Sequence, residues 1–186
     1  FDLDGTLVDS MPLHYRAWRE ALARAGAPDH VFRADEFYSC GGKSANDVVR
    51  FLNERYGMHM DAASTAADKR RIYLEMLEKE GMQPIREVVE FVHSLGDAPK
   101  AIATGSAMPG ASRTLAAAGL SGLFDVILTP DEVEHGKPAP DMFLKAAELL
   151  GVSPDRCVVF EDAEPGMKAA AAAGMDCVQV RRPSLA

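Results

Sequence analysis

Residues 1–10 read FDLDGTLVDS and place two carboxylates, Asp2 and Asp4, directly after an apolar start. Side chains alternate between the two faces of a strand, so a strand over 1–3 would leave Asp2 and Asp4 on the same side. Gly5 then lets the backbone turn away. Two nearby carboxylates suit a divalent cation, or a division of labour in which one attacks and the other transfers protons. An Asp-Gly turn between apolar segments is the alternative that this stretch leaves open.

The composition is that of an ordinary globular chain. Its 186 residues are 47% hydrophobic and 26% charged, which allows a buried core and shows no signature of disorder. The 20 Lys and Arg against 28 Asp and Glu give a net charge of −8, which argues against a nucleic-acid partner. A small anionic substrate would need a local cationic site, because the overall field repels it.

The sequence predicts a cytoplasmic monomer without a membrane span. No apolar run approaches the roughly 20 residues that a spanning helix needs, and no signal peptide or lipidation motif is present. Cys40, Cys157 and Cys177 are odd in number and lack CxxC spacing, so we expect reduced structural cysteines, the last two in buried strands. The chain starts inside a predicted strand without a Met, so we expect native residues before Phe1.

Two sequence patterns divide the chain. Between Pro12 and Lys79, apolar residues recur at helical spacing and no strand pattern appears. From Pro84 onward, continuous apolar strands alternate with helices, which indicates a parallel sheet covered on both faces. The sequence therefore predicts an α/β core with an inserted all-helical domain. The predicted core covers 1–10 and 81–186, and the predicted helical domain covers 11–80.

The predicted elements follow from apolar periodicity and from Gly and Pro positions. Helices are predicted over 12–25, 45–56, 62–79, 85–95, 109–118, 140–150 and 164–173. Strands are predicted over 1–3, 100–104, 125–128, 157–160 and 176–180. Gly57 lies just past the second of these helices and is expected to cap it.

Polar residues follow four of the predicted strands. Ligands bind beyond the carboxyl ends of the strands in open parallel sheets, so these residues are expected to share one edge. They are Asp2 and Asp4, then Thr104, Gly105 and Ser106, then Lys137, and finally Glu161 and Asp162.

Two of these groups suit an anion. Thr104, Gly105 and Ser106 precede a predicted helix, so their hydroxyls and free N–H groups could bind a phosphate or could form a plain helix cap. Lys137 precedes a proline-rich stretch, 138–140, that restricts the backbone and holds the side chain in one direction. The alternative for Lys137 is an ordinary solvated lysine.

The acidic pair suits a cation. Glu161 and Asp162 are hard oxygen ligands of the type that Mg²⁺ prefers, although they could instead cap the helix before Pro165. Four carboxylates at one sheet edge would repel each other, and Lys137 offsets only part of that repulsion. A divalent cation resolves the conflict, and a bound phosphate dianion would require both the cation and the lysine.

Taken together, these motifs resemble those of the haloacid dehalogenase superfamily. Their order and spacing match its four motifs, which here are DLDGTL at 2–7, TGS at 104–106, Lys137 and ED at 161–162. Three further stretches resemble the β-phosphoglucomutase-like subfamily, namely HYRAW at 14–18, GKPAPD at 136–141 and FEDAEPG at 160–166. The resemblance covers essentially the whole chain. It implies a Rossmann-like parallel sheet with helices on both faces and a helical cap inserted after the first motif.

The resemblance also implies roles for the acidic residues. Asp2 would be the nucleophile that forms an aspartyl phosphate, and Asp4 would be the general acid and base. Mg²⁺ would be held by Asp2, the backbone carbonyl of Asp4 and Asp162, with Glu161 acting through water.

The remaining motif residues would bind the substrate's phosphate. Thr104, the backbone of Gly105 or Ser106, and Lys137 would contact the phosphoryl oxygens, whose charge spreads in the transition state. The substrate would be a small phosphorylated metabolite.

The cap should close over this site and select the substrate. His14 lies where β-phosphoglucomutases carry a His, and Lys69 lies roughly where they carry a cap Lys. A lone helical His is otherwise a surface or core residue, and Lys69 belongs to a basic run, 69–71, that is otherwise a solvated face.

One departure from the mutases concerns residues 41–44, GGKS. β-Phosphoglucomutases usually have a Ser-Arg pair here that holds the far phosphate of a bisphosphate. Lys43, followed by Ser44, replaces the planar Arg only as a point charge. This pattern resembles the sugar-phosphate phosphatases of the subfamily, including those that act on fructose 1-phosphate.

The resemblance therefore favours a Mg²⁺-dependent phosphatase acting on a small sugar phosphate. The alternatives are a β-phosphoglucomutase and a catalytically silent phosphate-binding module. A dehalogenase is disfavoured, because carbon–halogen displacement does not require the Asp4 and Glu161-Asp162 carboxylates.

Overall fold

The computed structural model describes residues 1–41 and 43–181. The chain folds into two compact units. Among the described residues, the first comprises Phe1–Ser10 and residues 82–181, and the second comprises the part between them, 11–81. These bounds differ by one residue from those predicted, and the assignment of the units as catalytic core and cap stays a prediction.

The second unit, here called the helical unit, contains only helices among its described residues. They are α1 (Met11–Arg24), α2 (Ala34–Ser39), α3 (Ala45–Tyr56) and α4 (Ala62–Glu80). Helices α1 and α3 both pack on α4. The predicted cap at Gly57 is confirmed, since this residue ends α3 in the left-handed conformation at φ 64°. The buried apolar cluster of the unit comprises Trp18, Leu22, Val31, Phe32, Phe37, Cys40, Val48, Val49, Leu52 and Met60.

Helix α2 is absent from the sequence-based prediction, and tertiary contacts explain its presence. Glu36, which is 9% exposed, accepts hydrogen bonds from the backbone N–H of Phe32 at 3.0 Å and from the Tyr56 hydroxyl at 2.9 Å. Arg55 pairs with the same carboxylate at 3.0 Å. These partners lie outside α2. A six-residue helix is also too short to show a helical repeat of apolar residues, so the sequence pattern does not predict it.

The first unit contains four short strands, β1 (Ala101–Ala103), β2 (Val126–Leu128), β3 (Val158–Glu161) and β4 (Asp176–Gln179). They form two parallel pairs, β1 with β2 and β3 with β4. The helices of the unit are α5 (Arg86–Ser94), α6 (Met108–Ala117), α7 (Asp141–Leu150) and α8 (Glu164–Ala172). Short 3₁₀ turns cover Pro130–Glu132 and Pro154–Arg156. None of the described helices of either unit is long and apolar enough to cross a bilayer.

The opening residues join the two strand pairs. The expected strand over 1–3 does not form as a separate strand, but its backbone occupies the place of one. The Phe1 amino group donates to the Ala101 carbonyl, and the Ala103 N–H donates to the Phe1 carbonyl, both at 2.9 Å. On the other side, the Asp2 N–H donates to the Phe160 carbonyl at 2.9 Å. Residues 1–2 therefore lie between β1 and β3.

Helices cover both faces of this arrangement. On one face, Val159 packs in a buried cluster with residues of α7 and α8. Phe160 points to the other face, as strand alternation requires. The centre of its ring lies 4.6 Å from the ring centre of Phe1 and 5.1 Å from that of Phe91 in α5. The expected fold class, a Rossmann-like parallel core with helices on both faces plus a helical unit, is confirmed.

The cysteines depart from expectation in one respect. All three are free thiols, and Cys40 is buried in the helical unit. The prediction that Cys157 and Cys177 lie in buried strands was wrong, because Cys157 precedes β3 and is half-buried, and Cys177 is exposed. Strand β4 pairs only with β3 in the described residues, and all four of its residues are exposed.

Leu52→Ala tests whether the helical unit depends on its apolar cluster. Leu52 is fully buried, so the lost burial and the resulting cavity should lower the free energy of unfolding by about 2–5 kcal/mol. The control is Leu149→Ala, which removes a leucine that is 54% exposed and should change stability by about 0.5 kcal/mol or less. Denaturant titration measures both, and equal effects would contradict the assigned core.

Candidate active site

The turn after residues 1–2 is set by Gly5. Its φ of 90° lies in the region that favours glycine, and its N–H donates to the Val8 carbonyl at 2.8 Å. A β-carbon at this position would lie only 2.5 Å from Oδ2 of Asp162. The Thr6 hydroxyl donates to Oδ1 of the same carboxylate at 3.0 Å. The backbone of the turn and the Thr6 side chain therefore contact Asp162 directly.

Three carboxylates come together at this turn. One oxygen of each of Asp2, Glu161 and Asp162 lies within 4.8 Å of the others, and all three residues are buried. The backbone explains the meeting, because Asp2 hydrogen-bonds to β3 immediately before Glu161 and Asp162. A set of buried carboxylate oxygens is the kind of donor set that Mg²⁺ prefers, so these residues fit the metal that the sequence predicts.

Lys137 reaches the same cluster from the loop before α7. Its side chain is 6% exposed, and its Nζ lies 2.7 Å from Oδ1 of Asp2 and 2.9 Å from Oε1 of Glu161. It also lies 5.1 Å from the centre of the Phe143 ring. Lys137 therefore contacts the acidic cluster, and its side chain is buried, unlike that of an ordinary solvated lysine.

Burial and charge act against each other at this cluster. Burial favours the neutral amine of Lys137, but the carboxylates of Asp2 and Glu161 outweigh it and raise the pKa of the ammonium above its ordinary range. Burial raises the pKa of Asp2 to about 7, with further contributions from Glu161, Asp162 and Asp4 that oppose the lowering by Lys137. Additional positive charge near Asp2 would favour its ionised form. The charges of the cluster are therefore compatible with a bound cation, and so are its carboxylate oxygens as ligands.

Asp4 accepts hydrogen bonds from two serine hydroxyls. Its Oδ1 accepts from the Ser10 hydroxyl and its Oδ2 from the Ser106 hydroxyl, both at 2.6 Å. The Ser106 N–H in turn donates to the hydroxyl of the buried Thr104 at 3.0 Å. The predicted phosphate-binding turn therefore lies beside Asp4, and the Ser106 side chain contacts that carboxylate.

Sequence reasoning missed Thr6 and Ser10. Both are fully buried and both donate to an acidic residue of the site. Thr6 stands inside the DLDGTL motif, which was the available signal. Ser10 carried no such signal, because only the fold of residues 4–10 brings its hydroxyl back to Asp4.

The helical unit brings His14 and Lys69 together. Lys69 Nζ lies 2.8 Å from Nδ1 of His14, whose ring stacks on Tyr73 with centres 4.1 Å apart. The same ammonium lies 5.6 Å from the Trp18 ring centre and 5.4 Å from that of Tyr73. The two aromatic partners were not among the predicted site residues, although Trp18 belongs to the quoted HYRAW stretch.

Two further predicted specificity residues have local contacts in the helical unit. Ser44 caps α3, because its hydroxyl accepts from the Asp47 N–H at 3.2 Å. Lys43 is exposed, and its Nζ lies 5.6 Å from the centre of the Phe51 ring. Gly42, which belongs to the GGKS stretch, lies outside the described residues.

Comparison with known proteins gives consistent results. A family model described as haloacid dehalogenase-like hydrolase matches residues 1–174. Fructose-1-phosphate phosphatase YqaB of Escherichia coli is 38% identical over 182 residues, covering 97% of this chain and 94% of that protein. Hexitol phosphatase A of the same species is 36% identical over 188 residues, covering 99% and 82%. The crystal structure of CbbY from Rhodobacter sphaeroides in complex with phosphate has a TM-score of 0.85 at 25% identity, covering 97% and 84%.

These comparisons confirm the family that the motifs predicted. The family match and the relatives named as phosphatases also confirm the expectation of a phosphatase-type enzyme. The match spans both the acidic site and the helical unit, so it does not rest on one motif. The chain belongs to the haloacid dehalogenase-like hydrolase family.

Proposed function

We propose that this hydrolase is a Mg²⁺-dependent phosphatase that hydrolyses a small sugar or polyol phosphate through an aspartyl-phosphate intermediate. The observation that carries the proposal is the buried contact of Lys137 with Asp2, inside a cluster that also contains Glu161 and Asp162. This cluster contains the proposed nucleophile Asp2, the buried ammonium of Lys137 and carboxylate oxygens of the type that bind Mg²⁺. Phosphoryl transfer needs these components, because its catalysis depends mainly on positioning and charge stabilisation.

Asp2 is the proposed nucleophile. One of its carboxylate oxygens forms a bond to phosphorus while the bond from phosphorus to the sugar oxygen breaks. The charge that develops on the phosphoryl oxygens is stabilised by the Lys137 ammonium, which lies 2.7 Å from Asp2. Thr104, fully buried beside this site, and the N–H groups of the turn that it begins are the proposed neutral donors.

Asp4 is the proposed general acid and base. In the first step it donates a proton to the departing sugar oxygen, and in the second it removes a proton from the water that attacks the aspartyl phosphate. The hydroxyls of Ser10 and Ser106 each donate to one of its oxygens. These contacts hold the Asp4 carboxyl group in one orientation for both proton transfers.

The metal proposal assigns the cation to Asp2, Asp162 and the backbone carbonyl of Asp4, with Glu161 acting through water. Mg²⁺ at this position would supply charge neutralisation for the phosphoryl oxygens. Thr6 and Gly5 orient the Asp162 carboxylate, the first by a hydrogen bond and the second by leaving space for it. The chain thus fixes its own oxygen ligands from two neighbouring segments.

A sugar or polyol phosphate is the proposed substrate class. Two relatives that are 38% and 36% identical to this chain over the aligned residues are named as a fructose-1-phosphate phosphatase and a hexitol phosphatase. The GGKS stretch, which lacks the arginine for a second phosphate, also supports a monophosphate. A β-phosphoglucomutase is the second candidate, and the observation that favours it is the contact between His14 and Lys69.

Asp2→Asn tests the nucleophile. The substitution keeps the shape of the side chain but removes the ionisable oxygen, so phosphate release from p-nitrophenyl phosphate should fall by about 10³-fold or more. Asp131→Asn, at an exposed position, is the matched control and should retain activity. Unchanged turnover in the Asp2 variant would remove this residue from the mechanism.

Gly5→Ala tests the metal site. The new β-carbon would displace the Asp162 carboxylate, so Mg²⁺ affinity measured by calorimetry should fall by about tenfold or more. The matched control is Gly122→Ala, since Gly122 has φ 79° and open space around it. Both variants carry a similar backbone cost of about 1–2 kcal/mol. Equal metal affinity in the two variants would count against Asp162 as a ligand.

A substrate assay separates the phosphatase from the mutase. We expect stoichiometric inorganic phosphate from fructose 1-phosphate or from a hexitol phosphate in the presence of Mg²⁺, and its loss when the metal is chelated. The same enzyme should be incubated with β-glucose 1-phosphate and a trace of the corresponding bisphosphate. Formation of glucose 6-phosphate without stoichiometric inorganic phosphate would establish the mutase instead.

A further inference from the structure

The loop between β2 and α7, residues 129–140, carries Lys137. It contains three prolines, at 130, 138 and 140, which lack the N–H that a backbone hydrogen bond needs. After Lys137, the Ala139 N–H donates to the Gly136 carbonyl at 3.0 Å. The ammonium nevertheless lies only 2.7 Å from Asp2. Holding Lys137 at that point therefore depends on contacts that side chains make with the loop.

Two side chains of α7 reach back to this loop. Oδ2 of Asp141, the first residue of the helix, accepts from the His135 N–H at 3.2 Å and lies 3.2 Å from Nδ1 of the same residue. Nζ of Lys145 donates to the Glu132 carbonyl at 2.8 Å. Because residues four apart lie on the same face of a helix, one face of α7 holds the loop at two points that both precede Lys137.

Both ends of these contacts belong to packed parts of the core. Oε2 of Glu132 accepts from the N–H and the hydroxyl of Thr129 at 2.7 and 2.6 Å, and Thr129 is fully buried directly after β2. On the helix side, Met142 and Phe143 follow Asp141 and are 1% and 3% exposed. The two contacts therefore join the loop to elements that are themselves fixed by burial.

Helix α8 shows the same pair of charges in a different arrangement. Its first residue, Glu164, and its fifth, Lys168, pair with each other at 2.7 Å, and their side chains are 73% and 65% exposed. Helix α7 carries Asp141 and Lys145 at the same two positions, but their side chains contact the preceding loop. The acid and the lysine of α7 therefore do more than support their own helix.

We propose that Asp141 and Lys145 are positioning residues for Lys137, which they keep beside Asp2 by fixing the loop that carries it. The inference rests on the proposed phosphatase function, in which Lys137 stabilises the charge of the phosphoryl group. Misplacing such a group by about 1 Å can lower a rate by about 100-fold, so contacts of modest strength can decide turnover. Neither residue was among the site residues predicted from the sequence.

Asp141→Ala is the direct test. Loss of the acceptor should free the loop at His135 and lower kcat/KM for p-nitrophenyl phosphate by about tenfold, whereas Asp141→Asn keeps an oxygen for the same N–H and should stay within about threefold. The control is Glu87→Ala, which removes an exposed acid from the first turn of α5 and should retain activity. Equal losses in Asp141→Ala and in either of the other two variants would overturn the inference.

Lys145→Met removes the second contact and keeps most of the apolar stem. It should lower kcat/KM by about 3–10-fold. The control is Lys168→Met, at the same position of α8, which should retain activity. Because these lysines make partly exposed contacts, the melting temperature should change by about 3 °C or less in both variants. A Lys145→Met variant as active as Lys168→Met would overturn the assignment of Lys145.

Inhibitor and metal binding distinguish a displaced Lys137 from a damaged metal site. The inhibition constant of orthovanadate, which mimics the phosphoryl group in transfer, should rise about tenfold in Asp141→Ala. Mg²⁺ affinity measured by calorimetry should stay within about threefold. A fall in Mg²⁺ affinity as large as the fall in kcat/KM would overturn the inference, because the loss would then arise at the metal site.

Amide hydrogen exchange tests the loop without any assumption about the reaction. In Asp141→Ala, exchange at residues 134–137 should become about tenfold faster, since the loop loses one of its attachments. Unchanged exchange would overturn the inference whatever the enzyme hydrolyses. Failure of the proposed function would be seen separately, as unchanged turnover in Asp2→Asn.

Discussion

The buried ammonium of Lys137 is the interaction on which the site depends. An unpaired charge inside a protein is very costly, whereas a paired and hydrogen-bonded charge is tolerated. Here the ammonium contacts Asp2 and Glu161, which lie 135 and 24 residues away along the chain. Removing Lys137 would leave both carboxylates buried without this cation, and removing either acid would leave the ammonium with one carboxylate partner of the two. The pairing therefore constrains three separate chain segments at once.

The backbone supplies the conditions for this pairing. Residues 1–2 hydrogen-bond to β1 on one side and to β3 on the other, so Asp2 emerges beside Glu161 and Asp162. The loop before α7 brings Lys137 to the same point. Burial raises the pKa of Asp2, and the excess of acids over bases in the cluster adds to that effect. In a phosphate ester hydrolase, the extra carboxylates can bind a metal ion. The metal ion and the ammonium together then neutralise the charge of the substrate's phosphate.

Much of this arrangement was predictable from the sequence. The order of the predicted strands and helices directs Asp2, Lys137 and Glu161 toward one sheet edge, and apolar spacing gives the bounds of every described α-helix except α2 within one residue. The rest depends on contacts between distant residues. Neither the return of Ser10 to Asp4 nor the close approach of Gly166 to Glu161 produces a periodic pattern. The prediction that Cys177 is buried was wrong for a related reason. Cys177 lies in β4, and an apolar sequence does not distinguish an edge strand from a central one.

The central place of residues 1–2 has a consequence for biosynthesis. These residues precede the helical unit in the chain, yet their partners in β1 and β3 are made 100 and more residues later. At translation rates of about 5–20 residues per second, the opening segment waits about 10–30 seconds for β3. The contacts of the helical unit close over much shorter sequence distances, so that unit can form while the first segment is still unpaired.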